Sequence, residues 1–491
     1  LLTFEQMGID DLTIDEAHEF KNLFYSSRLT KVRGLNNKAG SQKAFDLHNK
    51  VRLLAESPKG SVVFMTGTPI SNSAVEAYTM MRYLARKQLQ EVGLEHFDAW
   101  RAQFVDAAVE WEPDETGRLQ QVARLGRDWS NMRSMMNIYR TFTDAVSIEE
   151  IKKWYAEDNN GKPFPIPFLK GGDRQRVVVK PTPGQVSELE AVIHGFDHLP
   201  GIKDPNERNA ERLRLMNRAR NVSLDVRAAH KGAAYEPGGK IDAAVENIFN
   251  LYQKWTDDKG VQLVFLDRSV PKAKGDDKVI KQYDALIAAR DKALKDGDED
   301  LYRRSLEALE PFSAEEVEAL RAAQAGAWNG YEEIRRQLVA KGVPAGEIRF
   351  IQEAHNDEEK EALFELVRAG KVRVLIGSTQ RMGAGTNVQE LIVGLHHIDV
   401  NWRPSDIEQR EGRALRQGNL LLQKYGIDKF EMEIFAYVTE RTIDAKMWDL
   451  NAVKMKSING VRKYDGSFVM EFNDDESASM AEIAALASGD P

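Results

Sequence analysis

Asp15-Glu16-Ala17-His18-Glu19-Phe20-Lys21-Asn22 follows a short apolar segment, Leu12-Thr13-Ile14, and decides how the rest of the chain is read. A hydrophobic strand ending in two acids sets both carboxylates at the carboxyl edge of a sheet, where α/β proteins bind ligands. Far along the chain comes Gln409-Arg410-Glu411-Gly412-Arg413-Ala414-Leu415-Arg416-Gln417-Gly418. The spacing of Arg413 and Arg416 predicts that they share one face of a helix. Arginine is always charged and forks onto phosphate. An acidic pair that holds Mg²⁺ and polarises water, with distant arginines that neutralise a transferring phosphate, is the chemistry of nucleotide hydrolysis between two domains. Asp15 is the candidate for holding Mg²⁺ through water, and Glu16 for activating the attacking water. The usual phosphate cradle, Gly-x-x-x-x-Gly-Lys-[Ser/Thr], occurs nowhere in the sequence.

Each segment alone has a plainer reading. Two acids after a strand are commonly a surface turn, and a mixed charge run commonly pairs its arginines with Glu408 or Glu411. His18-Glu19 resembles the start of a zinc-protease helix, but the residue four beyond His18 is Asn22, which removes the second ligand.

At 491 residues the chain suits two or three domains. No apolar run approaches the roughly 20 residues that span a bilayer. The start, Leu1-Leu2-Thr3-Phe4-Glu5, has no charged n-region before an apolar core and does not read as a signal peptide. It reads instead as the interior of a larger protein. Cysteine is absent, which excludes disulfides, thiolate nucleophiles and Cys-based metal sites. The net charge of -9 gives no global electrostatic footprint for nucleic acid, so any such contact must rest on local basic patches.

The expected architecture is α/β. A first block, 1–180, holds strands at 12–14 and 61–65. Between them runs a basic stretch with Arg28, Lys31, Arg33, Lys38 and Lys43. Residues 74–158 read as mostly helical, an insertion or subdomain with no repeated strand signal. Residues 176–179 read as a strand leaving this block. A helical linker, 181–237, carries Arg208, Arg212, Arg214, Arg218, Arg220 and Arg227. A second block, 238–460, has strands expected at 261–266, 347–351, 372–376, 395–400 and 431–438. Helical patterns between most of them favour a parallel sheet. A charged helical hairpin is expected at about 271–326, and 461–491 reads as an acidic, peripheral extension.

Two more strand ends carry small polar residues. Thr66-Gly67-Thr68-Pro69 follows the second strand and could couple a nucleotide site to a neighbouring groove. Gly377-Ser378-Thr379-Gln380-Arg381-Met382-Gly383-Ala384-Gly385-Thr386-Asn387 combines hydroxyl donors with glycines that permit close backbone approach to phosphate.

In order and spacing these segments resemble the Snf-type DNA translocases of helicase superfamily two. The Asp-Glu-Ala-His box with Lys-Asn matches residues 15–18, Lys21 and Asn22. Thr-Gly-Thr-Pro then Asn matches 66–69 and Asn72. Ser-Thr-x-x-x-Gly-x-Gly-x-Asn matches Ser378, Thr379, Gly383, Gly385 and Asn387. Asp-x-x-Trp-x-Pro then Gln-x-x-Gly-Arg-x-x-Arg-x-Gly matches Asp399, Trp402, Pro404, Gln409, Gly412, Arg413, Arg416 and Gly418. The resemblance covers about 1–460 and implies two RecA-like domains, the first incomplete at its start, with ATP and Mg²⁺ between them and double-stranded DNA across their top. It implies catalytic roles for Asp15, Glu16, Gln409, Arg413 and Arg416. It places His18, Thr66, Gly67, Thr68, Gly383, Gly385, Asn387 and Gly412 around the nucleotide. Lys31, Arg33, Lys38, Lys43, Asn72, Ser378, Thr379, Arg381 and the Arg-rich helix at 208–227 are the DNA candidates. The wording Phe4-Glu5-Gln6-Met7-Gly8-Ile9-Asp10-Asp11 is similar to the helicase part of large phage and mobile-element proteins that join a DNA methylase to a motor. That likeness implies a methylase domain or subunit as partner and the cytoplasm of a bacterial or phage-infected cell as location. The rival expectations are a catalytically dead scaffold with a motor fold and a strand-separating or RNA-acting helicase.

Overall fold

Period-two burial builds the larger sheet. Along Val261–Phe265 (β7), Val261, Leu263 and Phe265 enter one core with Leu363, Phe364 and Val367, while Val264 enters the opposite core with Ile241, Ile248 and Ile334. Ile348–Phe350 (β8), Val374–Gly377 (β9), Ile392–His397 (β10) and Glu431–Thr439 (β11) join it. Their pairings with β7 and with one another are all parallel, in the order β11-β10-β7-β9-β8. Helices Lys240–Lys254 and Gly330–Ala340 cover one face and Asp357–Arg368 the other. Burial on both faces is what a parallel sheet requires, and it explains why these strands are apolar almost throughout. The five strands expected in 238–460 are therefore present, and the α/β class holds.

The computed structural model describes residues 3–29, 39–70, 74–113, 119–269, 278–296, 328–382 and 387–463, with 32, 35, 301, 304 and 305 besides. In the first block, Asp11–Ile14 (β1) pairs in parallel with Ser61–Phe64 (β2), with helix Gln42–Glu56 between them in sequence. Both strands alternate exposed and half-buried residues, so this small sheet is far less covered than the large one.

Three differences from the sequence reading appear. First, 74–158 is not wholly helical. Helices Ala74–Leu84 and Phe97–Phe104 are followed by an antiparallel hairpin, Val105–Pro113 (β3) with Leu119–Trp129 (β4), before Met132–Arg140 resumes the helix. The sequence between the hairpin strands, Asp114-Glu115-Thr116-Gly117-Arg118, is a turn signal that the surrounding apolar pattern hid. Second, Phe168–Leu169 (β5) and Gln175–Val179 (β6) both pair with β11, so the strand expected to leave the first block joins the second sheet. Third, helix Pro404–Glu411 ends at Glu411, so Arg413 and Arg416 lie beyond it in turns rather than on a helical face. Gly412 N–H still reaches the Glu408 carbonyl at 2.8 Å, but Arg413 N–H bonds Arg410 O and Arg416 N–H bonds Ala414 O, which tightens the chain out of the helix.

Of the expected insertion, Lys278–Asp296 is a helix, and most of 297–327 lies outside the described residues. So do 464–491, Lys31, Arg33, Lys38, Asn72, Gly383 and Gly385. The linker forms Pro183–His198 and Pro205–Leu224, which pack with Ile443–Arg462 through Val192, Met216, Val222, Ile443 and Met447. No described helix is long and apolar enough to cross a membrane.

Candidate functional site

Asp15 and Glu16 sit in the turn that leaves β1. Glu16 holds φ 50°, ψ 45°, the left-handed region, and its N–H bonds Asp15 Oδ1 at 2.9 Å. A non-glycine residue there costs roughly 1–3 kcal/mol, and such strain clusters at functional sites. Ala17 N–H then bonds Met65 O at 3.0 Å, stitching the turn to the end of β2. The link continues in side chains. His18 Nδ1 lies 2.9 Å from Thr66 Oγ1 and 3.3 Å from Glu16 Oε2, and Thr68 N–H donates to Thr66 Oγ1. The acidic box and Thr66-Gly67-Thr68 therefore form one polar unit across the two strand ends. Lys21 pairs at 2.7 Å with Glu76, whose side chain is buried, and so fixes the chain after the box onto helix Ala74–Leu84.

Asp15 and Glu16 are both exposed, and the described residues contain no group of three or more His, Asp or Glu able to enclose a metal. One hard carboxylate beside open solvent fits Mg²⁺, which keeps several waters and binds through one or two carboxylates plus substrate phosphate. Asp15 is the residue that would hold it.

Arg413, from the second sheet, lies within the electrostatic reach of Glu16. Burial lowers the Arg413 guanidinium below its ordinary value, the neighbouring Arg416 lowers it further, and the Glu16 carboxylate opposes both. Arg413 is half-buried and Arg416 exposed. Glu408 and Glu411, the plainer partners for these arginines, are engaged elsewhere. Glu408 accepts both forks of Arg462 at 2.7 Å, and Glu411 pairs with Arg174 and with His397 Nε2. Arg462 Nε also donates to Gly67 O at 2.7 Å, so the last helix ties helix Pro404–Glu411 to the Thr66 turn. Arg403 reaches Glu19 at 3.9 Å. A cleft of about 820 Å³ opens on the far side of the Thr66 turn, lined by Thr66, Gly67, Phe142, Ser147, Glu408 and Arg462, and Asp15, Glu16 and Arg413 are not among its walls. Gln409 is half-buried, and Gly412 and Asn387 are exposed; the Asn387 carbonyl accepts from Arg368 at 3.0 Å.

Arg410, which the sequence reading passed over, is the centre of the second sheet's polar edge. It is fully buried and stands 5.3 Å from the Phe265 ring centroid. Its guanidinium donates to Thr379 Oγ1 (2.7 Å), Asp267 Oδ2 (2.8 Å), Asp399 O (2.7 Å) and His397 Nδ1 (3.3 Å). Arginine has no acceptor, so His397 Nδ1 must accept and Nε2–H must donate to Glu411. Burial holds His397 down to about 4, in keeping with a neutral ring. Burial pushes Asp267 up, but Arg410 and Thr379 outweigh it and leave the group lowered; burial and the neighbouring Asp267 raise Asp399. In sequence the hint was faint: Ile407, one turn earlier on the same helix, is the buried neighbour on Arg410's face.

This network changes the view of the expected DNA contacts. Ser378 and Thr379 are buried, and the Thr379 hydroxyl donates to Asp267 while accepting from Arg410. Thr379 therefore supports the edge from inside, and the exposed Arg381 is the outward cation of that loop, bonded to Ala354 O. Lys43 pairs with Glu19 at 3.4 Å. Most arginines of 208–227 have structural partners: Arg208 with Ile202 O, Arg214 with Glu211, Arg218 with Glu188 and Arg227 with Asp225.

Two family models match the chain: a probable helicase domain over residues 1–146 and the helicase conserved C-terminal domain over 332–418. Helicase-type sequence thus stands on both sides of the site. The chain is 26% identical over 153 residues to the defense against restriction protein B of Escherichia phage P1, a match covering 30% of this chain and 7% of that protein. The chain thus spans a small part of that relative's length. Among solved structures, the C-terminal part of the Fun30 ATPase domain aligns at TM-score 0.35 and 12% identity, covering 66% of this chain and all of that one. The Sulfolobus solfataricus SWI2/SNF2 ATPase core in complex with dsDNA aligns at 0.34 and 13%, covering 96% and 70%. The Pyrococcus furiosus Hef helicase domain aligns at 0.31 and 14%, covering 90% and 74%. TM-scores this low do not define a shared arrangement of the whole chain.

Proposed function

We propose that the chain is the motor part of an ATP-dependent, double-stranded-DNA translocase, hydrolysing ATP between its two sheets within a larger phage or mobile-element DNA-modifying protein. The observation that carries this reading is that Arg462 joins Glu408, on the helix that leads into Arg413, to Gly67 at the end of β2 at 2.7 Å, so the arginine turn and the acidic box belong to one polar seam. In this reading Asp15 holds Mg²⁺ through water, Glu16 orients the attacking water, and Arg413 and Arg416 meet charge developing on the phosphoryl oxygens. Bound Mg²⁺ supplies charge neutralisation at the phosphates. His18 and Thr66 relay the state of the box to the end of β2, and Arg462 relays the state of the arginine turn to the same place. Work on DNA follows if these links open and close with nucleotide.

The test is ATP hydrolysis by the full-length protein, with and without duplex DNA, at low salt. Strong stimulation by duplex is expected. No hydrolysis under either condition overturns the motor and leaves a DNA-docking scaffold.

A further inference from the structure

Just before the arginine turn stands a side chain that is held from two sides. Glu411 ends helix Pro404–Glu411 and precedes Gly412 and Arg413. The turn beyond it winds on its carbonyl, which accepts from Ala414 N–H at 2.9 Å and from Leu415 N–H at 2.8 Å. Where Glu411 sits, Arg413 is therefore carried along. Arg174, just before β6, forks onto the Glu411 carboxylate, Nε to Oε1 and Nη2 to Oε2, the second at 3.1 Å. His397, the last residue of β10, meets Oε1 through Nε2 at 3.1 Å. Trp448, on helix Ile443–Arg462, closes the clamp. Its ring centroid lies 5.9 Å from the Arg174 guanidinium and 5.6 Å from the His397 ring, the two rings at 77°.

Burial alone would push the Glu411 carboxyl up, but the hydrogen bonds from His397 and Arg174 outweigh it and hold the group down at about 2. Burial lowers Arg174, and the hydrogen bond and charge of Glu411 more than restore it. Both groups are therefore charged at neutral pH, and a two-pronged contact between them fixes direction as well as distance. A plainer role would be to staple β6 to the second sheet. That task is already met: a parallel ladder from Gln175↔Phe435 to Val179↔Thr439 holds β6, and Lys170 pairs with Glu433 at 3.1 Å beside it. What the clamp adds is a fixed starting point for the arginine turn. A cation that meets charge developing on a phosphate acts best when its direction is set in advance, and a misplacement of about 1 Å can cost on the order of 10² in rate.

We propose that Glu411, clamped by Arg174 and His397, is a positioning residue that aims Arg413 at the transferring phosphate. The proposal rests on the motor reading and deepens it: Arg413 acts on the phosphoryl oxygens, and the clamp acts only through Arg413. Neither Arg174 nor His397 belongs to any of the matched motifs.

The test is steady-state and single-turnover ATP hydrolysis by the full-length protein with duplex DNA present. Arg174→Met is expected to lower kcat about tenfold or more, while KM for ATP and binding of a labelled ATP analogue change less than about twofold. Arg174→Lys keeps the charge but not the fork and should recover part of the rate. Arg176→Gln, whose arginine pairs with Asp449 at 3.7 Å on the next strand position but one, should leave kcat unchanged. In an Arg413→Ala background Arg174→Met should cost little further, because the clamp then has nothing to aim. If the parent hydrolyses ATP and Arg174→Met matches it, the clamp does not position Arg413 and the motor reading stands. An equal loss from Arg174→Met in the parent and in Arg413→Ala, or a raised KM with kcat unchanged, also overturns the proposal. If the parent hydrolyses no ATP under any condition, the motor reading falls and the clamp's role with it. Matching thermal midpoints of parent and variants exclude misfolding. Should Arg174→Met misfold, Glu411→Gln, which keeps the shape of the side chain and removes its charge, carries the comparison with the same expectations.

Discussion

Replacing Arg410 by methionine should destabilise the second sheet in a way that depends on pH. The side chain is fully buried and meets Asp267 at 2.8 Å and Asp399 at 3.4 Å. Methionine fills much of the volume but leaves the buried Asp399 and the half-buried Asp267 without the cation that pairs with both. Removing one partner of a buried ion pair costs about 3–5 kcal/mol. The variant can escape part of this only by protonating a carboxylate. Both groups should then titrate above their unfolded values near 3.9. A group raised in the folded state contributes stability below its unfolded value and loses it as pH rises through the folded one. The penalty should therefore be largest near pH 7.5 and shrink on acidification, by about 1.4 kcal/mol per pH unit for each carboxylate that takes up a proton. Urea unfolding of parent and variant, followed by far-ultraviolet circular dichroism and tryptophan emission at pH 5 and 7.5, measures it. Asp267→Asn added to Arg410→Met should recover about 1 kcal/mol or more. A penalty under about 1 kcal/mol at pH 7.5, or one of equal size at both pH values, would falsify the claim that charge rather than packing is what Arg410 contributes.

Other expectations follow from the same geometry. Glu16→Gln in the full-length protein should abolish ATP turnover while a labelled nucleotide still binds; ordinary turnover in that variant removes Glu16 from the chemistry. Arg413→Ala should slow duplex-stimulated hydrolysis by on the order of 10³ or more, and a change under tenfold refutes its role on the phosphate. Burial lowers His396 to about 3 and His397 to about 4, so the unfolded chain binds more protons than the folded one below pH 6.5. Stability present above 6.5 is thus lost as pH falls toward 4, by about 1.4 kcal/mol per pH unit per histidine. His396→Gln should flatten the dependence of the unfolding midpoint on pH between 6.5 and 5, and an unaltered dependence shows that this ring does not titrate as buried.

The sheet of the second block was legible because parallel strands covered on both faces are apolar nearly throughout, as in Val261-Gln262-Leu263-Val264-Phe265. The exceptions were legible only in three dimensions. Gln262 is wholly buried because its amide bonds Ile248 O and its oxygen meets His396. The β3–β4 hairpin escaped because its strands carry many helix-forming residues, such as Ala107, Ala108, Glu110, Gln120, Gln121 and Leu125, and are flanked by helices. β6 carried a clear strand pattern, but period alone does not say which neighbour a strand takes, and β11 lies more than 250 residues away at Gln175↔Phe435. The arginine pair was found by type and spacing, yet the helix stops at Glu411, before either arginine. Arg410 escaped for the opposite reason. Inside Glu408-Gln409-Arg410-Glu411 it looks like one charge in a solvated run, and Asp267 and Asp399, arriving from two other strand ends, are what turn it inward.

The left-handed backbone at Glu16 has an evolutionary consequence. Glycine there would relieve about 1 kcal/mol of strain, so Glu16→Gly should melt at a slightly higher temperature than the parent while turning over no ATP. Stability and the proposed chemistry thus select different residues at one position. In a lineage that no longer needed the motor, drift toward glycine or asparagine would be favoured by folding alone, and this chain still carries glutamate.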